Sequence, residues 1–327
     1  MSTTTPTSRQ RRRPDLRTVS DTLHAIEENV ERVVEGKPEV VRLALVALMS
    51  EGHLLIEDVP GVGKTLLAKA LARSIDCSVQ RIQFTPDLLP SDVTGVTVYS
   101  PDTGEFEFRP GPVFANIVLG DEINRAGPKT QSALLESMEE RQVTIDGVTH
   151  ELARPFMVMA TQNPIELEGT YPLPEAQRDR FMMRLAIGYP QVDSELAILR
   201  THGHGDLVAE LGSVTDAATV SDAIIAIRDV HVAESIERYI VALCRATRAH
   251  EETELGASPR ASLALLRASR AYAAFQGRDY VVPDDVKALA PHLLPHRLIL
   301  RPEAQLAGRD PLAVVLDVLD GVPAPTE

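Results

Sequence analysis

The run Glu57-Asp58-Val59-Pro60-Gly61-Val62-Gly63-Lys64-Thr65 constrains this chain more than any other stretch. His53–Glu57 before it reads as a short buried strand, and after it Leu67, Leu71 and Ile75 share one face of a helix predicted over Thr65–Ile75. Glycines at a strand-to-helix turn let successive backbone N–H groups point inward at an anion, where the helix dipole already favours negative charge. The pattern predicts a phosphate-binding loop running from Pro60 through Leu66. Lys64 would reach the β- and γ-phosphates of a nucleotide, and the Thr65 hydroxyl would ligate Mg²⁺. Asp58 stands where the general pattern GxxxxGK[ST] has glycine. Aspartate tolerates left-handed backbone angles better than most residues, so the turn survives if its carboxylate points away from the phosphates.

A second element separates this loop from an ordinary glycine-rich turn. Ile117-Val118-Leu119-Gly120 reads as a buried strand that delivers Asp121 and Glu122 at its carboxyl end, the edge where parallel sheets bind ligands. Asp121 would hold the Mg²⁺ shell, and Glu122 would align and deprotonate the attacking water. Asn163 ends a further strand, Phe156–Thr161, and is placed to hydrogen-bond that water or the γ-phosphate; as an isolated residue it would be a turn former.

Helices are predicted at Thr18–Glu35 and Val40–Met49, followed by strands and helices in alternation, including Val79–Phe84 and the helix Lys129–Arg141. That order predicts an α/β fold: a three-layer αβα domain with a parallel sheet covered on both faces. Two β-hairpins interrupt it. Val96–Ser100 and Glu105–Phe108 flank the turn Pro101–Gly104, while Gln142–Ile145 and Val148–Leu152 flank Asp146-Gly147. After Tyr189-Pro190 the strand signals stop and the remainder reads as an all-α lid. The expected division is a disordered basic leader at 1–17, the αβα domain at 18–190, a linker at 191–215 and the lid at 216–327. The best linker candidate is His202-Gly203-His204-Gly205-Asp206.

The formal charge is −14, yet Arg9, Arg11, Arg12, Arg13 and Arg17 are opposed in the leader by Asp15 alone, so the body is more acidic still. An acidic body without tryptophan and with 4 % aromatics argues against a nucleic-acid motor, which needs clustered cations and stacking rings. No apolar run reaches the length of a membrane span and no secretory signal is legible, so a cytoplasmic protein is expected. Cys77 and Cys244 read as two buried thiols, with neither a disulfide framework nor a zinc site.

Three runs make the chain similar to a known family: Val118-Leu119-Gly120-Asp121-Glu122-Ile123-Asn124-Arg125-Ala126, Ala160-Thr161-Gln162-Asn163-Pro164, and Leu173-Pro174-Glu175-Ala176-Gln177-Arg178-Asp179-Arg180-Phe181. Together with Gly256–Ala261 they resemble the MoxR family of AAA+ ATPases, over about residues 26–285. The resemblance implies ATP and Mg²⁺ as cofactors and hydrolysis in a homo-oligomeric ring, by analogy six-membered. It also implies a chaperone-like role on protein clients, including metal insertion, often beside a partner with a von Willebrand factor A domain. Arg180 then corresponds to an arginine finger that enters the neighbouring subunit's site, with Arg178 two residues earlier as an alternative or a surface ion pair. Arg260 corresponds to a second sensor in the lid, projecting from a helix start capped by Ser258 and Pro259. Val33, Val34 and Gly36 fall at the adenine-contacting position, where plain packing is the other reading. The hairpins match insertions that in relatives face the pore or the client. The rival functions are a nucleic-acid motor or loader and a slow nucleotide-gated binding switch.

Overall fold

The computed structural model describes residues 14–163, 170–201 and 207–325. Two helices open the described chain, α1 (Leu16–Glu31) and α2 (Pro38–Met49). Asp15 starts α1 by accepting the Thr18 N–H at 2.8 Å, so the folded body begins inside the segment first read as leader. Residues 1–13 of that leader, and the proposed linker 202–206, lie outside the described residues.

The αβα series follows: β1 (Leu54–Glu57), α3 (Lys64–Ser74), β2 (Val79–Gln83), α4 (Pro90–Thr94), the hairpin β3 (Gly95–Ser100) and β4 (Glu105–Pro110), then β5 (Ile117–Asp121) and α5 (Pro128–Glu140). The second hairpin, β6 (Gln142–Ile145) and β7 (Val148–Glu151), leads to β8 (Met157–Gln162), α6 (Glu175–Arg178) and β9 (Met183–Leu185). Five strands form one parallel sheet in the order β2-β5-β8-β1-β9. β9 was not anticipated: three residues are too few for a periodic signal, and pairing with β1 makes them a strand.

Alternation along each strand sorts the side chains between two cores. Leu54, Ile56, Ile117, Leu119, Met157 and Met159 enter one, which also holds α1, α2, α3 and much of the lid. Leu55, Val118, Val158 and Ala160 enter the other, closed by Leu134, Leu135 and Met138 of α5. His53, just before β1, is fully enclosed: Val158 N–H donates to its Nδ1 at 3.0 Å, so Nε2 carries the proton to the Met138 carbonyl at 3.1 Å. Burial pulls its pKa down to about 4 and keeps the ring neutral.

In the second hairpin Asp146 and Gly147 both take positive φ, 50° and 80°, as a type I′ turn requires. The two hairpins touch through aromatic rings. Phe108 of β4 stacks on His150 of β7 at 4.1 Å, while Tyr99 and Phe106 on the first hairpin remain exposed.

The lid comprises α7 (Val192–Thr201), α8 (Leu207–Glu210), α9 (Ala217–Ile227), α10 (Glu234–Ala249), β10 (Thr253–Leu255), α11 (Pro259–Phe275), α12 (Pro283–Leu293), β11 (Ile299–Leu300), α13 (Pro302–Leu306) and α14 (Pro311–Gly321). It is not wholly helical, since β10 and β11 pair antiparallel. Much of the stretch read as linker is helical too, in α7 and α8. Among the described residues no helix is long and apolar enough to cross a membrane. Cys244 is buried and Cys77 half-buried, both free thiols, and burial pushes the Cys77 thiol up to about 12.

Candidate active site

Strand order brings the motifs together. β1, β8 and β5 are consecutive neighbours with parallel register, so the residues leaving their carboxyl ends share one sheet edge. A cleft of about 490 Å³ opens there, lined by Pro60, Gly61, Gly63, Lys64, Thr65 and Leu66 of the loop, with Asp121, Glu122 and Asn163 opposite. Gly61 and Gly63 have φ of 85° and 97°, a region closed to most side chains, so the loop needs glycine at both positions.

Asp58 does not need the left-handed backbone expected of it, for it is absent from the residues with positive φ. Its buried carboxylate turns away from the cleft, accepting Val59 N–H at 2.8 Å and Gly188 N–H at 2.6 Å, which ties the loop to the strand exit after β9. Lys64 Nζ folds back onto the Asp58 carbonyl at 2.6 Å. Burial holds the Lys64 pKa below the usual lysine value, opposed by the carboxylates of Asp58, Asp121 and Glu122.

The two acids are oriented by residues that sequence reasoning did not single out. Thr161 donates its hydroxyl to Asp121 Oδ1 at 2.6 Å and accepts the Glu122 N–H at 2.9 Å. Arg81 of β2 reaches Asp121 Oδ2 at 2.6 Å, and Gln83 donates to Glu122 Oε2 at 3.0 Å, where Arg125 also binds at 2.9 Å. β2 lies beside β5 with Gln83 opposite Asp121; that adjacency is a property of strand order and leaves no mark in the local sequence. Glu122 sits at φ 57°, ψ 51°, a conformation that costs a non-glycine residue about 1–3 kcal/mol and is found where side-chain direction matters. Lys69 and Val208 complete the lining.

Val33 and Val34 are 2 % and 5 % exposed and belong to the main core, and neither they, Gly36 nor Val62 line the cleft. Gly36 instead packs against α7, where an added Cβ would lie 2.3 Å from Ser194 Oγ.

Arg180 and Arg260 are brought together, but elsewhere. Both line a second cleft of about 300 Å³ with Glu139 of α5, whose carboxylate binds Arg180 at 3.1 Å and also binds Arg260. Arg178 is not among the residues lining it and lies 3.9 Å from Glu175. Arg141 and Arg267 extend this cationic surface into an adjoining cleft with Arg228 and Arg270.

Two family profiles match the chain: the ATPase family associated with various cellular activities (AAA) over residues 53–183, and the AAA lid domain over residues 245–316. A crystal structure from Cytophaga hutchinsonii, described provisionally as an ATPase, superposes with a TM-score of 0.90 at 40 % identity, covering 95 % of this chain and 97 % of that one. Fold, phosphate loop and acidic strand end thus define an AAA-class nucleotide-binding module with its lid. The relatives narrow the class. Chaperone MoxR1 of Mycobacterium tuberculosis is 44 % identical over 93 % of this chain and 83 % of its own, and protein MoxR of Methylorubrum extorquens is 31 % identical over 93 % and 96 %. YeaC of Bacillus subtilis, uncharacterised, is 52 % identical over 92 % and 94 %. The chain belongs to the MoxR family of AAA+ ATPases.

Proposed function

We infer that this protein hydrolyses ATP at the interface between subunits of a homo-oligomeric ring and uses the cycle to remodel client proteins. The observation that carries the reading is the separation of the two halves of the machinery. The loop, Asp121, Glu122 and Asn163 line one cleft, whereas Arg180 and Arg260 face a different one. A chain whose Arg180 and Arg260 line a different cleft from its loop completes its chemistry head-to-tail, each copy lending these arginines to the next, which is the geometry from which rings close. Six subunits is the number the family analogy favours.

Within the cleft, loop N–H groups and Lys64 would grip the triphosphate, and Glu122 would accept the proton of a water positioned with Asn163. Mg²⁺ fits the donor set, since Thr65 and Asp121 offer the hard oxygens it selects and Thr161 already orients the Asp121 carboxylate. When bound, it would neutralise charge on the phosphates. Arg180 from the neighbour would stabilise charge on the transferred phosphoryl group, and Arg260, beside it on Glu139, would act on the same nucleotide.

The chaperone-like role draws on the name of the mycobacterial relative and on the exposed Tyr99 and Phe106, which give the first hairpin an apolar tip for a client. Partnership with a von Willebrand factor A domain, metal insertion into clients and a cytoplasmic location are extensions by family analogy. The test mixes two inactive chains. Lys64→Ala lacks a working loop but keeps its arginines; Arg180→Ala is the reverse. Phosphate release should reappear on mixing, and a mixture that stays inactive while both variants assemble would contradict the interfacial site.

A further inference from the structure

We propose that Asp179 is a positioning residue that locks the finger segment to the lid, so that Arg180 and Arg260 move as one unit; the proposal rests on the interfacial reading above. A single carboxylate makes the connection. Its Oδ1 accepts Arg297 Nε at 2.8 Å and its Oδ2 accepts the Ser258 hydroxyl at 2.9 Å. Ser258 is the cap of α11, accepting the Arg260 N–H at 3.1 Å and the Ala261 N–H at 3.4 Å. Asp179 therefore joins the backbone one residue before Arg180 to the helix start two residues before Arg260.

Arg297 makes the joint stiff. Its side chain is 2 % exposed, and besides Asp179 it donates to the carbonyls of Phe181 at 2.7 Å, Met182 at 3.0 Å and Leu293. His296 adds a donated bond to the Phe181 carbonyl at 3.1 Å. Lid residues thus hold the carbonyls that follow Arg180, while Asp179 holds the cap that precedes Arg260. Glu139 meets both guanidinium groups at the far end. A rotation of α11 cannot carry Arg260 without carrying Arg180. In a ring, lid movement in one subunit would advance or withdraw both cations from the next subunit's phosphates together.

Misplacing a catalytic group by about 1 Å costs roughly 10²-fold in rate. Asp179→Asn keeps the size but weakens the grip on Arg297, and hydrolysis by the purified variant should fall by about that factor. The affinity of dilute, unassembled Asp179→Asn chains for ATP should not change, because the loop itself is intact. Two mixtures then separate the alternatives. Lys64→Ala chains lend well-placed arginines, so they should restore phosphate release to Asp179→Asn chains as they do to Arg180→Ala chains. Recovery with Arg180→Ala but not with Asp179→Asn would overturn the positioning role and leave the interfacial site standing. Failure of both would overturn the two together. Should Asp179→Asn not fold, as judged by melting and sedimentation, Ser258→Ala removes only the hydroxyl arm. Its loss of rate should be smaller and equally restored by Lys64→Ala; an unrestored loss would refute the proposal.

Discussion

Replacing Glu122 with glutamine is expected to leave MgATP bound and to slow its hydrolysis by about 10²–10⁴-fold, the usual worth of a general base. Glutamine keeps the shape of the side chain and its place beside Gln83 and Arg125, so little else changes. What it loses is the capacity to take a proton. The neighbouring Asp121 is engaged by Thr161 and Arg81, so it does not substitute. Parallel measurements of nucleotide binding and single-turnover phosphate release decide the point. Loss of binding, or an unimpaired rate, would remove Glu122 from the proton-accepting role.

Arg297→Met should lower the free energy of unfolding by about 3–5 kcal/mol, because removing one partner of a buried pair strands the other. The substitution deserts the Asp179 carboxylate and the carbonyls of Phe181 and Met182 at once. Burial already draws the Arg297 pKa below its ordinary value, with Asp179 opposing, so the pair exists only because each partner answers the other. The contrast is Arg238→Ala, whose ion pair with Glu234 is 78 % and 74 % exposed and should register at most about 1 kcal/mol. Denaturant unfolding of both variants beside the parent measures the difference, and equal shifts would show that the buried clamp is not a stability element.

Residues whose meaning lies in local spacing were legible in the sequence. Gly61, Gly63, Lys64 and Thr65 announce a turn only glycine can make followed by a helix start, and Asp121-Glu122 announces an acidic strand end. Both hairpins were legible for the same reason, since Asp146-Gly147 and Pro101–Gly104 are turn chemistry flanked by alternation. Residues whose meaning lies in strand order were not. Arg81 and Gln83 stand far from Asp121 in the sequence and become its neighbours only because β2 is laid beside β5. Short pairings such as β9, β10 and β11 escaped because two or three residues carry no periodicity.

Net charge says nothing of where charge gathers. Within a chain of formal charge −14, folding brings Arg141, Arg180, Arg260, Arg267 and Arg297 around one cleft, partly answered by Glu51, Glu139 and Asp179. Asp58 taught the opposite lesson. It looked like a blemish in the loop, and its carboxylate proves to be the fastening between Val59 and Gly188.

The central claim is that one copy cannot cleave ATP efficiently without an arginine from another. Hydrolysis per subunit, followed against protein concentration with assembly monitored by sedimentation in the same samples, tests it most directly. The rate per subunit should rise in step with the assembled fraction and collapse on dilution to single copies. Full turnover by a single copy would contradict it.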